Sequence, residues 1–250
     1  MIDTHTHISK KYYDDIESVI SRANDNGVKK IIISGCDLES NTEAVELIKK
    51  YDCLYATIGY HPDEVGKVTD KDFNKLENLV LNSDKIVGIG EIGLDYYYGK
   101  DNKREQIDLF EKQLALAEKL DIPVVIHTRD AFLDTYEILK KYKVRGIIHC
   151  FSGSLDVANK YIDLGFLLGI GGVLTFKNSK LKDVVENISL ENIVLETDAP
   201  YLTPVPFRGK PNETSYVIYV AKFIAEIKNI DISEVDKITT NNAFKLFDLQ

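Results

Sequence analysis

The sequence predicts an α/β fold, a (β/α)8 TIM barrel with a closing C-terminal helix, as a single domain over residues 1–250. Short β-branched runs alternate with longer amphipathic segments along the whole chain, the rhythm of parallel strands joined by crossover helices. Eight such pairs can be read, and 250 residues is the usual size of an eight-unit barrel that folds as one body. A doubly wound open sheet has the same local alternation, but no Gly-rich phosphate fingerprint follows the first run here.

In chain order, strands are expected near residues 2–7, 30–35, 54–59, 86–91, 123–127, 145–149, 166–171 and 192–197. The clearest helix falls between the fourth and fifth, where Ile107, Phe110, Leu114 and Ala117 recur at three- and four-residue spacing and line one face. It is expected to stop before Pro123. From Ser233 onward Val235, Ile238, Ala243, Leu246 and Phe247 follow a looser helical pattern, which predicts the closing helix.

Apolar residues make up 44% of the chain and charged residues 28%, enough apolar surface for a large core. A net charge of −9 argues against a broadly basic nucleic-acid surface, so any phosphate contacts must be local. Cys36, Cys53 and Cys150 are odd in number and widely spaced, unlike a disulfide framework, and fit a reducing cytoplasm. The opening Met1-Ile2-Asp3-Thr4-His5 lacks the features of a signal peptide, and no apolar run approaches membrane-spanning length. A soluble cytoplasmic protein without a membrane partner, monomeric by default, is the expectation.

His5-Thr6-His7 ends the first strand, and residues two apart in a strand point to the same side, so both imidazoles can reach one metal ion. Glu91, His127, His149 and Asp198 stand at the carboxyl ends of four further expected strands, where barrel active sites are built. Taken singly, a hydrogen-bonded core histidine or a salt-bridged carboxylate is the commoner explanation of each. Together, four imidazoles and two carboxylates exceed the ligand count of one tetrahedral ion. A carboxylate shared between two ions makes the count sensible, and Glu91, central in the series, is the candidate bridge.

Five segments in this order carry a resemblance: Ile2-Asp3-Thr4-His5-Thr6-His7, Gly88-Ile89-Gly90-Glu91-Ile92-Gly93-Leu94-Asp95-Tyr96, Val125-Ile126-His127-Thr128-Arg129-Asp130-Ala131, His149-Cys150-Phe151-Ser152-Gly153, and Leu195-Glu196-Thr197-Asp198-Ala199-Pro200-Tyr201-Leu202. With them the chain closely resembles the TatD family of metal-dependent deoxyribonucleases, among the amidohydrolase-like barrels. The resemblance implies one ion held by His5, His7, Glu91 and Asp198, and a second by Glu91, His127 and His149. It also implies hydrolysis of DNA phosphodiester bonds, often from an end, with single strands or ends as substrate.

In that reading a metal-activated water is the nucleophile and Asp198 accepts its proton. The imidazole-rich set suits zinc, manganese, iron or nickel better than magnesium, although magnesium could still activate the protein in a test tube. Arg129, two residues beyond His127, either grips a phosphate or pairs with Asp95 or Asp130. His61, after the third strand, either donates to phosphate or caps its loop. Tyr201 and Arg208, with Phe207 and Lys210, offer charge and stacking surfaces for a single strand, as a solvated loop also would. Asp3 and Glu196 either orient ligands or form structural ion pairs. Cys150 is expected to be small, buried and turned toward the helices. Cys36, near the end of the second strand, could approach the site, but nothing marks it as a nucleophile or ligand.

Two other functions use the same residues. A barrel hydrolase of small-molecule amides or carboxylic esters would direct the same hydroxide at a carbonyl. Related barrels often bridge with a modified lysine on the fourth strand, and Glu91 in that place favours the phosphodiesterase. A non-catalytic metal- or nucleic-acid-binding scaffold would need ligands but no water-activating geometry or open coordination position, and Asp198 argues against it.

Overall fold

The computed structural model describes residues 1–97 and 101–249. It is a (β/α)8 barrel. The parallel strands follow chain order: β1 (Ile2–Thr6), β2 (Lys30–Ser34), β3 (Leu54–Ile58), β4 (Ile86–Asp95), β5 (Val124–Arg129), β6 (Gly146–Ile148), β7 (Leu167–Ile170) and β8 (Ile193–Leu195). Helices α1 (Ile16–Asp25), α2 (Leu38–Lys50), α3 (Asp70–Leu81), α4 (Lys103–Leu120), α5 (Phe132–Leu139), α6 (Leu155–Asp163), α7 (Leu181–Asn187) and α8 (Val217–Lys228) each follow a strand, and α9 (Ile232–Phe247) comes last. Among the described residues no helix is long and apolar enough to cross a membrane.

The fold groups into two compact units, residues 1–33 with 149–250, and residues 34–148. In the first, β1 pairs with β2 and β7 with β8, all parallel. Buried Ile31, Ile32 and Ile33 of β2 and Ile193, Val194 and Leu195 of β8 form continuous apolar runs, as strands covered on both faces require, whereas β1 buries Asp3, Thr4, His5 and Thr6 after Ile2. On α9, Val235, Ala243, Leu246 and Phe247 are buried as expected, but Ile238 is only half-buried. Thr239 and Asn242 take buried places instead, with the Asn242 amide donating to the carbonyls of Leu190 and Ile193 at 2.7 and 2.8 Å.

In the second unit β3 to β6 pair consecutively. Strand β4 runs four residues past its expected end, so Glu91 lies inside it, not at its tip. The extension pairs with β5 as far as Asp95 with Arg129. Gly93 permits it: its φ is +148°, and a Cβ there would run into the His127 carbonyl. Helix α4 buries Phe110, Leu114 and Ala117 as expected, leaves Ile107 half-buried, and buries two glutamines, Gln106 and Gln113, on the same face.

Candidate metal centre

Four of the predicted ligands lie in the first unit. His5 Nε2 and His7 Nε2 are 3.2 Å apart, and Asp198 Oδ1 lies 3.6 and 3.3 Å from them. Ligand atoms held about 2.1 Å from one ion lie roughly 3.0–3.4 Å from each other, so this donor set fits a single cation of imidazole and carboxylate preference.

The local chain explains the convergence. The Asp198 N–H donates to the His5 carbonyl at 3.0 Å and the His7 N–H to the Ala199 carbonyl at 2.7 Å, stitching the segment after β8 to β1. Asp198 itself has φ +54°, left-handed backbone that a short polar residue tolerates better than most. Strand β8 has already ended at Leu195, so strand alternation does not set the direction of Asp198; this turn does.

Asp3 anchors the turn from below, accepting from the Thr197 N–H at 2.9 Å and the Thr197 hydroxyl at 2.7 Å. Burial pushes its carboxyl up to about 7, against the pull of those hydrogen bonds. Asn212 anchors the other side, its amide donating to the Thr197 and Tyr201 carbonyls at 2.8 and 2.7 Å. Asp3 was legible as an orienting group, although its hold is on a neighbouring peptide. Asn212 was not legible, since a lone loop asparagine carries no signal in sequence.

His149 stacks on His5 with ring centres 3.9 Å apart, and its Nδ1 lies 3.5 Å from Glu196 Oε1. A carboxylate against one ring nitrogen is the usual outer arrangement of a histidine ligand. Glu196 Oε1 also accepts from the Cys150 N–H at 2.6 Å, and burial holds this carboxyl above its ordinary range. Gly169 makes the room, because a Cβ there would meet that carboxylate. The expectation for Cys150 needs correction: it is half-buried, with φ +45°, since β6 stops at Ile148 and alternation no longer applies.

The second unit holds Glu91 and His127. Glu91 Oε1 lies 2.9 Å from His127 Nδ1 and 3.9 Å from His61 Nε2. On the far side of the same ring His127 Nε2 meets Asp95 Oδ2 at 3.1 Å, so Asp95 orients the imidazole and leaves Nδ1 directed at Glu91. Burial presses the Asp95 carboxyl upward most strongly, yet the hydrogen bonds from His127 and the Tyr97 N–H, with the Arg129 charge, outweigh it and hold the group below its ordinary range. His61 does cap its loop, Nδ1 accepting from the Asp63 N–H at 3.2 Å. Its ring also meets His127 edge-on at 4.5 Å, leaving Nε2 toward Glu91.

The remaining candidates lie on aromatic surfaces. Arg129 is exposed with its guanidinium 3.5 Å over the Tyr97 ring. Tyr201 shares a 2.7 Å hydroxyl contact with Tyr12 and stands edge-on to His7 at 6.1 Å. Arg208 lies 3.8 Å over Phe176 and donates to the Thr203 carbonyl at 3.1 Å. Phe207 is stacked on Tyr216 at 4.4 Å, with Lys210 Nζ 5.8 Å from its ring. Cys36 is half-buried, and burial pushes its thiol up to about 12.

A family model described as TatD related DNase matches residues 2–248. The chain belongs to the TatD family. It is 45% identical to the metal-dependent hydrolase YabD of Bacillus subtilis over 99% of this chain and 98% of that protein. It is 33% identical to the metal-dependent hydrolase YcfH of Escherichia coli K12, over 99% of this chain and 95% of that one. The crystal structure of YjjV, a TatD homologue from Escherichia coli K12, superposes with a TM-score of 0.94 at 32% identity, covering 100% of this chain and 98% of YjjV. This member of the TatD family is accordingly a metal-dependent hydrolase.

Proposed function

We propose that the protein is a deoxyribonuclease, exonuclease-like, that cleaves phosphodiester bonds of single-stranded DNA or DNA ends with water activated by two divalent ions. The carrying observation is the His5, His7 and Asp198 cluster, whose ligand atoms stand at coordination spacing around a carboxylate. In this reading His5, His7, Glu91 and Asp198 hold one ion, and Glu91, His127 and His149 hold the other.

Two bound ions would supply a water of lowered pKa and offset charge on the phosphoryl group. The chain's own residues supply the rest. Asp198 accepts the proton of the attacking water, a role open to a carboxylate that is both ligand and hydrogen-bond acceptor. Glu196 and Asp95 each stand against one nitrogen of the His149 and His127 rings and so orient the imidazoles. His61 Nε2 and the Arg129 fork serve as donors to phosphate, with Tyr201 and Arg208 contacting the strand. A carboxylate, Glu91, on the fourth strand supports phosphodiester over amide chemistry.

The test incubates purified protein with end-labelled single- and double-stranded DNA and an RNA control across zinc, manganese, iron, nickel and magnesium. Metal-dependent shortening of DNA that falls at least about a hundredfold in Asp198→Asn, the order of loss when a general base is removed, is the expected result. A Glu91→Ala protein controls for contaminating nuclease, and equal degradation by it and the wild type sinks the assignment.

A further inference from the structure

Three buried primary amides in the second unit grip backbone just where strands end. Gln113, fully buried on α4, accepts from the Tyr60 N–H at 2.8 Å and donates to the Tyr60 carbonyl at 2.9 Å. Gln106, on the same helix and 3% exposed, accepts from the Asp95 N–H and donates to the Asp95 carbonyl, both at 2.9 Å. Asn41 of α2 does the same for Gly59, at 3.0 and 2.7 Å. Each amide reproduces the pair of hydrogen bonds that a neighbouring strand makes to one residue, at Gly59 and Tyr60 just past β3 and at the last residue of β4.

Burying an amide is costly unless it is satisfied, and an apolar residue on α4 would fill the same volume without that demand. The two glutamines are seven residues apart, two turns of helix, so one rigid face sets both grips. The gripped residues are not arbitrary. Tyr60 precedes His61, whose own N–H is held by the Cys36 carbonyl at 2.8 Å. Asp95 is the carboxylate bonded to His127 Nε2.

We infer that α4 is a positioning element with two separable outputs: Gln113 fixes His61 for substrate, and Gln106 fixes Asp95 and through it the metal-binding orientation of His127. The inference rests on the proposed roles of His61 and His127. Neither glutamine touches substrate or ion; both act through the backbone they hold.

The experiment uses Gln113→Met and Gln106→Met, with Gln113→Asn and Gln106→Asn as second variants that keep an amide but shorten its reach by one methylene. All are assayed below their unfolding temperatures. Histidine-selective 1H–15N spectra come first, because they do not depend on the substrate. The Gln113 variants should move His61 ring resonances most and the Gln106 variants those of His127, with His5, His7 and His149 little changed. Uniform shifts across the five rings, or none, overturn the inference.

Competitive titration with zinc alone should then show roughly tenfold weaker binding for Gln106→Met, in the range expected for lost support of a histidine ligand, and unchanged binding for Gln113→Met. On an end-labelled oligonucleotide, Gln113→Met should lower kcat/KM by the same factor as His61→Ala, and the double variant should be no worse than His61→Ala. Losses that multiply in the double variant overturn the inference. Selective ring shifts with a fully active His61→Ala would instead refute the substrate role of His61, and with it the kinetic half of the inference, while leaving the positioning geometry in place.

Discussion

Cys36 shows how strongly a single residue's chemistry depends on its surroundings. Burial pushes its thiol up to about 12, with Glu91 adding repulsion toward the thiolate, so at neutral pH it remains the inert S–H form. The sign follows from which state keeps the proton. An unfolded thiol ionises near about 8.5, whereas the folded one holds its proton to higher pH, so this group favours unfolding progressively as pH rises above that point. Native protein treated with iodoacetamide at pH 8 should therefore leave Cys36 unmodified long after the urea-unfolded chain is fully alkylated, as read by peptide mass spectrometry. Rapid native labelling of Cys36 would contradict the assignment. Other site residues were legible only in part at this scale. His5 and His7 announce themselves by spacing and Asp3 by its place two residues before His5, but Asn212, which also holds the Asp198 turn, is an ordinary residue until its amide is seen on the Thr197 carbonyl.

Helix starts and helix faces belong to the next scale. Asp37 begins α2 with a reciprocal capping box: its carboxylate accepts from the Ser40 N–H at 2.7 Å, and the Ser40 hydroxyl bonds the Asp37 N–H at 3.0 Å. Asp37→Ala should cost about 1 kcal/mol in urea unfolding, the usual loss for such a cap, and Asp37→Asn clearly less. An unchanged midpoint would mean that tertiary packing alone holds the start of α2. Helix α4 illustrates the limit of pattern reading. Its apolar spacing correctly identified Phe110, Leu114 and Ala117, but Gln106 and Gln113 share their face and count as polar, so periodicity passes over the two residues that grip Tyr60 and Asp95. Strand β4 runs past its expected end at residue 91 because Gly93 has no side chain to meet the His127 carbonyl.

For the molecule as a whole, metal binding is coupled to stability because the ligands are brought together only when the chain is folded. An ion present at a hundred times its Kd adds about 2.7 kcal/mol to the folded state. Dialysis against a chelator should lower both hydrolytic activity and Tm, and zinc or manganese should restore both. A Tm indifferent to chelation and reloading would argue that the clusters are structural pairs of imidazole and carboxylate. The net charge of −9 bears on the same balance, since bound cations offset some of the self-repulsion of an acidic chain.

The sequence by itself determined the barrel, its strand positions to within a few residues and the family, because a period-two and period-3.6 rhythm and the order of histidines and carboxylates are written in the covalent chain. Only the tertiary structure decided which carboxylate meets each nitrogen of His127, which nitrogen of His149 faces Glu196, how Asp198 turns toward His5 and His7, and which buried amides grip the loops beside His61 and Asp95. The reason is physical. Those outcomes depend on hydrogen bonds between residues far apart in sequence and on backbone outside regular strands, where side-chain direction no longer follows a period.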